Sequence, residues 1–459
     1  MAKTSSDHRL TSTERKAAGA LAAVFGLRML GLFLIMPVLA VYGQAYPDYS
    51  AMLVGVAIGA YGLTQALLQI PMGMLSDRIG RRPVIIVGLL IFIAGSIIAA
   101  LADTLTGVII GRALQGGGAI AAAILALAAD ISRDQQRAKV MAMIGMCIGL
   151  AFALALVLGP FLANHLGMAG LFWFTALAAA SGLLLFIASV PKFEVRAARG
   201  DVVPVKGELS GLLKHGQLLR LNLGVFVLHA MLTAFFVVVP TRLVNAGLAI
   251  DAHAWLYLPV LLLSFVIMVP MLIRTEKKRA QAFYFRINIS LLLIAVLAVF
   301  SSGLFSLSWT WLVFAILLFF VGFNYLEANL PASLTRFAPA GSKGSASGIY
   351  ATWQFAGAFV GGVAGGSLLQ QFGNIGVGIF CAALLVLWLL LTIGMQAPPE
   401  WQNISRKVND VEINEALLQQ LREVTGVAEV RYVASEQIIY LKVHKSDYNE
   451  TDVAALLNA

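Results

Sequence analysis

Residues 73–82 read GMLSDRIGRR, and this short stretch decides how the chain is laid out. Charged residues make up 12% of the protein, yet Asp77, Arg78, Arg81 and Arg82 all fall within these ten positions. Apolar runs at 51–76 and 83–101 flank them. Each is close to the ~20 residues that a helix needs to cross about 30 Å of hydrocarbon. A charged turn between two such runs reads as a loop held at a membrane surface. Gly80 permits the tight turn, and Gly73 lets a neighbouring helix come close.

The same alternation continues in both directions to residue 396. Of 459 residues, 59% are hydrophobic, whereas a soluble domain would carry about 25% charged residues. Mean hydropathy is +0.86. The pattern predicts an all-α polytopic membrane protein with twelve spans: 17–43, 51–76, 83–101, 105–131, 137–164, 168–190, 218–245, 253–273, 280–301, 307–336, 342–371 and 373–396. The longest inter-span loop, 191–217, separates a first half, 1–190, from a second, 218–396, with six spans each.

The net charge of +9 is a matter of orientation, not of nucleic-acid binding. With the N-terminus inside, the basic residues outside spans fall on the cytoplasmic side: Lys3 to Lys16, Arg78 to Arg82, Arg133 to Lys139, the linker, Arg274 to Arg279, and Arg336 with Lys343. Arg242 is the exception, near a span end. This is the positive-inside asymmetry. Cys147 and Cys381 both lie in apolar runs and form neither a disulfide framework nor a metal-ligand spacing. The first apolar run contains Arg28 and Pro37 and reads as a retained span, not a signal peptide.

Residues 400–459 are of another kind. VAEVRYV (427–433) and IIYLKV (438–443) read as strands, a third strand is placed near 404–409, and helices are placed around Leu417–Leu421–Val424 and at 449–459. The order βαββα describes a small α+β ferredoxin-like domain on the cytoplasmic side. It has no cysteine for metal delivery, which leaves self-association or a cytoplasmic ligand as its roles.

The fifth span of each half is rich in glycine. Gly145/Gly149 and Gly357/Gly361/Gly365 recur every four residues, so each set lines one helix face and is expected to allow close helix approach. Two halves with matching features are expected to rock about a site near the midplane.

Gly73, Asp77, Arg78, Gly80, Arg81 and Arg82, placed between the second and third spans, resemble motif A of the major facilitator superfamily. Arg112 with Gln115 and Gly116 resembles that family's motif B. Gly145, Gly149, Gly159 and Pro160 resemble motif C, which is associated with proton-coupled antiporters. MLGLFLIMPVL (29–39) resembles the first-span motif of the drug:proton antiporter branch. The resemblance covers essentially the whole chain. It implies the major facilitator fold, alternating access, and proton-driven export of small, drug-like molecules across a bacterial inner membrane with both termini cytoplasmic. It also gives Arg112 a role in proton transfer; pure helix-to-helix hydrogen bonding is the rival role.

Asp77 lies at the water boundary, where burial is costly without a positive partner. Arg81 is one turn away. The other partner is the N-terminus of the eleventh helix near 342–344, which would favour an anion by about 0.3–1 kcal/mol, or ~2 when partly buried. Asp130, closing the fourth span, completes an Asp77–Arg81–Asp130 network. The group is therefore expected to latch the two halves in the outward-open state; the alternative is a loop that only orients the protein.

Arg28, Arg112, His229 and Glu327 lie at least nine residues from the nearest charged loop neighbour, roughly 13 Å at ~1.5 Å per residue. Such groups face a bundle interior or an aqueous cavity. Glu327, the sole carboxylate well inside a span, is the candidate for exchanging a proton against substrate; pairing with a buried arginine is the rival role. Arg28 is placed to pair with Glu327 or to attract an anionic group. His229 is either a proton carrier or a hydrogen-bonding strut. Tyr61, Gln65 and Gln69 at i, i+4, i+8, together with Gln115 and Asn324, are expected to line the central cavity. No phosphate-binding G-x-x-x-x-G-K-[ST], metal cluster or nucleophile–base pair points to ATP use, a cofactor or an enzyme. The expected partners are a small-molecule substrate, protons and membrane lipid. Uptake of a small solute and a sensor that signals through residues 400–459 are the competing readings.

Overall fold

In the computed structural model, ten helices among the described residues are long and apolar enough to cross a membrane. Two of them, Lys139–Ser189 and Lys343–Gly394, have 51 and 52 residues. A straight helix of that length would run about 75 Å at ~1.5 Å per residue, more than twice the ~30 Å of hydrocarbon. Each is interrupted near its middle by a glycine in the left-handed region, Gly167 at φ 68° and Gly373 at φ 62°. Each is thus a pair of spans joined by a tight turn, and the ten helices make twelve spans. The structure describes residues 10–132, 134–190, 209–301, 309–340, 342–397, 401–408, 413–434, 437–444 and 447–458. Lys3, Arg9, Arg133 and linker residues 191–208 lie outside the described residues.

Local chemistry sets the span ends. Thr11 and Glu14 form a reciprocal capping box at Ser12–Phe33. Ser50 caps the second span, Ala51–Ile79, through the Leu53 N–H, and Thr104 caps the fourth through that of Gly107. The fourth span is broken into Leu105–Gly117 and Ala121–Ile131. Gly80, at φ 95°, links the second span to the third, Arg81–Ala100.

The halves meet through glycine. A Cβ added to Gly362 of span 11 would lie 2.5 Å from the Gly55 carbonyl of span 2, and one added to Gly59 would lie 2.9 Å from that of Phe359. At the same end of the bundle, the Met52 N–H donates to Gln370 Oε1 at 3.2 Å and Thr241 Oγ1 donates to the Ala40 carbonyl at 3.3 Å. These contacts seal the end of the bundle remote from the Asp77 loop. Gly357, Gly361 and Gly365 pack closely on span 7, against Phe226, Ala230 and Ala234. The expectation for Gly145 and Gly149 is corrected: nothing lies within 4 Å of a Cβ at either position. Only Gly159, at the sealed end of span 5, makes a close approach, to the Leu34 carbonyl and Pro37. A glycine face permits contact but does not bring a partner to it.

After the spans come β1 (Trp401–Lys407), a helix at Glu415–Glu423, β2 (Val427–Val433), β3 (Ile438–His444) and a helix at Glu450–Asn458. The sheet is antiparallel in the order β1-β3-β2. Leu421, Val430, Ile439, Leu441, Val443 and Val453 form the core of this domain. It grips the turn before span 11: the Ala340 N–H donates to Glu429 Oε2 at 3.1 Å, Arg431 Nη1 to Ser342 Oγ at 3.0 Å, and Lys442 Nζ to the Ala338 carbonyl at 3.3 Å. Ala340 also packs with Ile438 and Tyr440.

Candidate transport site

The sequence-predicted residues fall into three polar groups among the described residues. The first is the Asp77 loop. Arg81, 4% exposed, is bonded to Asp77 and to Ser76 Oγ at 3.1 Å, and its Nε lies 3.3 Å from Asp130 Oδ2. One guanidinium thus joins spans 2, 3 and 4. Arg82 donates to the carbonyls of Val190 and Ile187 and lies over the Phe186 ring, which ties the loop to the end of span 6. Arg78 is exposed, and Gly73 is buried. Asp77 has no bond to the N-terminus of span 11 in this conformation; among the described residues its partner is Arg81.

The second group lies inside the first half. Arg28 Nη2 donates to Gln65 Oε1 and to the Gly118 carbonyl, both at 2.9 Å. Gln65 in turn donates to Gln69 Oε1 at 2.6 Å. Arg112 donates to the Ala57 carbonyl at 3.3 Å and to Gln115 Oε1 at 3.0 Å, and Gln115 donates to Ser96 Oγ at 2.8 Å. The break in the fourth span at Gly118 exposes the carbonyl that Arg28 takes. Tyr61, Gln65, Gln69 and Gln115 are all buried between spans here. Arg28 does not pair with Glu327, which corrects that expectation: each stays within its own half.

The third group lies in the second half. Glu327, with a side chain 39% exposed, has His229 Nε2 at 3.8 Å. Gln354 Nε2 lies 2.8 Å from His229 Nε2 and 3.3 Å from Glu327 Oε1. His229 Nδ1 faces the Val225 carbonyl at 3.2 Å. An imidazole that donates from Nδ1 has a bare Nε2, so the two amide hydrogens of Gln354 can serve the histidine and the carboxylate together. Asn324 is 8% exposed and donates to Ser264 Oγ at 2.8 Å, joining spans 10 and 8.

Gln354 escaped the reading of the sequence because its stretch of span 11 was read for the glycine face alone. A signal was present: Tyr350 and Gln354 repeat the i, i+4 Tyr–Gln pair that Tyr61 and Gln65 make in span 2, the helix that span 11 packs against.

Comparison with known proteins agrees with this architecture. The Major Facilitator Superfamily profile matches residues 21–362. The inner membrane transport protein YajR of Escherichia coli (strain K12) is 41% identical over 448 residues, which cover 97% of this chain and 98% of that protein. Multidrug resistance protein MdtH of Aeromonas salmonicida is 26% identical over 353 residues, covering 74% of this chain and 85% of that protein. A solved structure of a POT family transporter, in complex with a thioalcohol-conjugated peptide, shares the fold with a TM-score of 0.64 at 14% identity, covering 83% of this chain and 98% of that one. Twelve spans in two halves, polar groups enclosed within each half, and a profile match across most of the chain lead to one conclusion: this is a multi-pass membrane transporter that belongs to the major facilitator superfamily.

Proposed function

We propose that the chain is a proton-coupled exporter of small molecules in a bacterial inner membrane, with both termini cytoplasmic. Under that orientation the conformation described above is sealed on the external side. The observation that carries the reading is the Glu327–Gln354–His229 bridge. Glu327 is the one carboxylate in the middle of a span, and its side chain is partly open to solvent.

The bridge ties the two titratable groups together. While His229 is neutral with a bare Nε2, Gln354 donates to both groups and holds Glu327 as a carboxylate. Protonating His229 at Nε2 turns that nitrogen into a donor, so Gln354 must rotate its amide and present oxygen to it. The amide hydrogen on Glu327 is then lost, and the carboxylate must take a proton or close on the imidazolium 3.8 Å away. Entry of a proton therefore rearranges spans 7, 10 and 11, the last of which packs on span 2.

In the opposite, outward-open state, Asp77 meets the N-terminus of span 11 and latches the cytoplasmic side. Support comes from the span's first turn: Ser342 Oγ accepts from Arg431 and makes no cap bond, so it does not compete for the helix end. The proton reading is tested in proteoliposomes with an imposed pH gradient. Glu327→Gln should abolish gradient-driven flux and retain gradient-free exchange of substrate. Flux with the gradient dependence of the unaltered protein would overturn it.

A further inference from the structure

Arg28 and Arg112 are 0% and 1% exposed, and neither has a carboxylate partner among the described residues. Both guanidinium groups lie against one ring, that of Tyr61, at 5.6 and 5.3 Å from its centroid, and Arg28 also lies 5.4 Å from Phe92. Arg28 uses only Nη2. Its Nε and Nη1, and the Tyr61 hydroxyl, are buried with no hydrogen-bond partner among the described residues. Two positive charges are thus enclosed in the low-dielectric interior of one half, with donors to spare and no counter-charge. Contact with an aromatic face offsets part of that cost, and amide and carbonyl oxygens offset more, but none of these is an anion.

From this we infer that Arg28, Arg112 and Tyr61 form a site for a small monovalent anion. The ligand is either the acid group of an organic substrate or a free inorganic anion such as chloride. Arginine suits both, because its planar donors match a carboxylate and its charge persists at any working pH. The geometry also makes the site dependent on conformation. The Tyr61 ring meets Phe355 of span 11 edge-on at 6.1 Å, and a Cβ on the next residue, Gly62, would lie 2.6 Å from the Phe355 carbonyl. Span 11 therefore covers the Tyr61 face while the external end is sealed. Parting of spans 2 and 11 uncovers it. This inference rests on the transporter reading but not on proton coupling.

The test is the thermal unfolding midpoint of the full-length protein in nanodiscs, with no pH gradient, titrated with sodium chloride and separately with sodium benzoate. Unaltered protein, Arg28→Gln and Tyr61→Phe are measured in the same buffers, so that general ionic-strength effects cancel. Saturable stabilisation is expected, with apparent affinity about tenfold weaker in Arg28→Gln and measurably weaker in Tyr61→Phe, which keeps the ring. Saturation with benzoate alone assigns the site to an organic acid group, and saturation with chloride assigns it to an inorganic anion. Should Arg28→Gln fail to fold, Tyr61→Phe carries the test. No saturable stabilisation by either salt, or equal stabilisation of all folded variants, overturns the proposal. Gradient-driven flux by Arg28→Gln and Glu327→Gln is read separately, so loss of one reading leaves the other testable.

Discussion

Replacing Gly362 by alanine should bias the protein away from the conformation sealed at the external end. The new Cβ would lie 2.5 Å from the Gly55 carbonyl and 3.1 Å from the Gly59 nitrogen, where ordinary contact begins at 3.4 Å. Spans 2 and 11 must therefore separate by about 0.9 Å, and both obstacles are backbone atoms, which cannot swing aside. Overpacking of this kind costs roughly 1–3 kcal/mol. The cost falls on one state alone, since the contact exists only where the two spans touch. An energy of that size shifts a two-state equilibrium by about 5- to 150-fold. Spin labels at Tyr49 and Phe372, both exposed near the ends of spans 2 and 11, report the separation as a distance distribution. The long-distance population should grow in Gly362→Ala and in Gly55→Ala. It should not change in Gly149→Ala, where a Cβ meets nothing within 4 Å. A folded Gly362→Ala protein with an unchanged distribution would refute the reasoning.

The Asp77 loop gives a second contrast. Arg81→Met removes a buried guanidinium shared by two carboxylates and should cost about 3–5 kcal/mol, while exposed Arg78→Met stays within ~0.5 kcal/mol. Unfolding midpoints in detergent distinguish them, and equal losses would contradict the network. Asp48 supplies a pH dependence. Burial raises its pKa, but hydrogen bonds from the Leu105 and Thr106 N–H groups and the Thr106 hydroxyl outweigh this and hold it below 3.8. A carboxylate with a lowered folded pKa stabilises above its unfolded value and loses that contribution as pH falls through the folded one. Asp48→Asn should therefore flatten the decline in midpoint below about pH 4, and an unchanged acid limb would count against the capping role. In the C-terminal domain, Glu429→Ala frees the Ala340 amide from a charged acceptor, a bond of about 1.5–3 kcal/mol. Hydrogen exchange at that amide should accelerate at least ~10-fold, with protection of β3 unchanged. Unaltered exchange would mean that the domain does not hold the turn before span 11.

Much of the architecture was legible along the chain, for a reason specific to lipid. A backbone with no water to bond to must satisfy itself, so long apolar runs become helices whatever their neighbours. The turn at Gly80, the six-plus-six layout and the Asp77–Arg81 pair, one helical turn apart, follow from local spacing. So do the strands of the C-terminal domain, because short runs rich in Val, Ile and Tyr suit extended backbone. Tertiary structure alone decided which distant groups meet. Arg28 and Glu327 are opposite charges that a linear reading can pair, yet helix rotation turns one toward Gln65 and the other toward Gln354 and His229. Gly145 and Gly357 sit in glycine faces of equal spacing, and only the second has a helix against it. Periodicity marks the face that a helix can bury. What lies opposite depends on how two six-helix bundles lean together, and that is set by the whole interface.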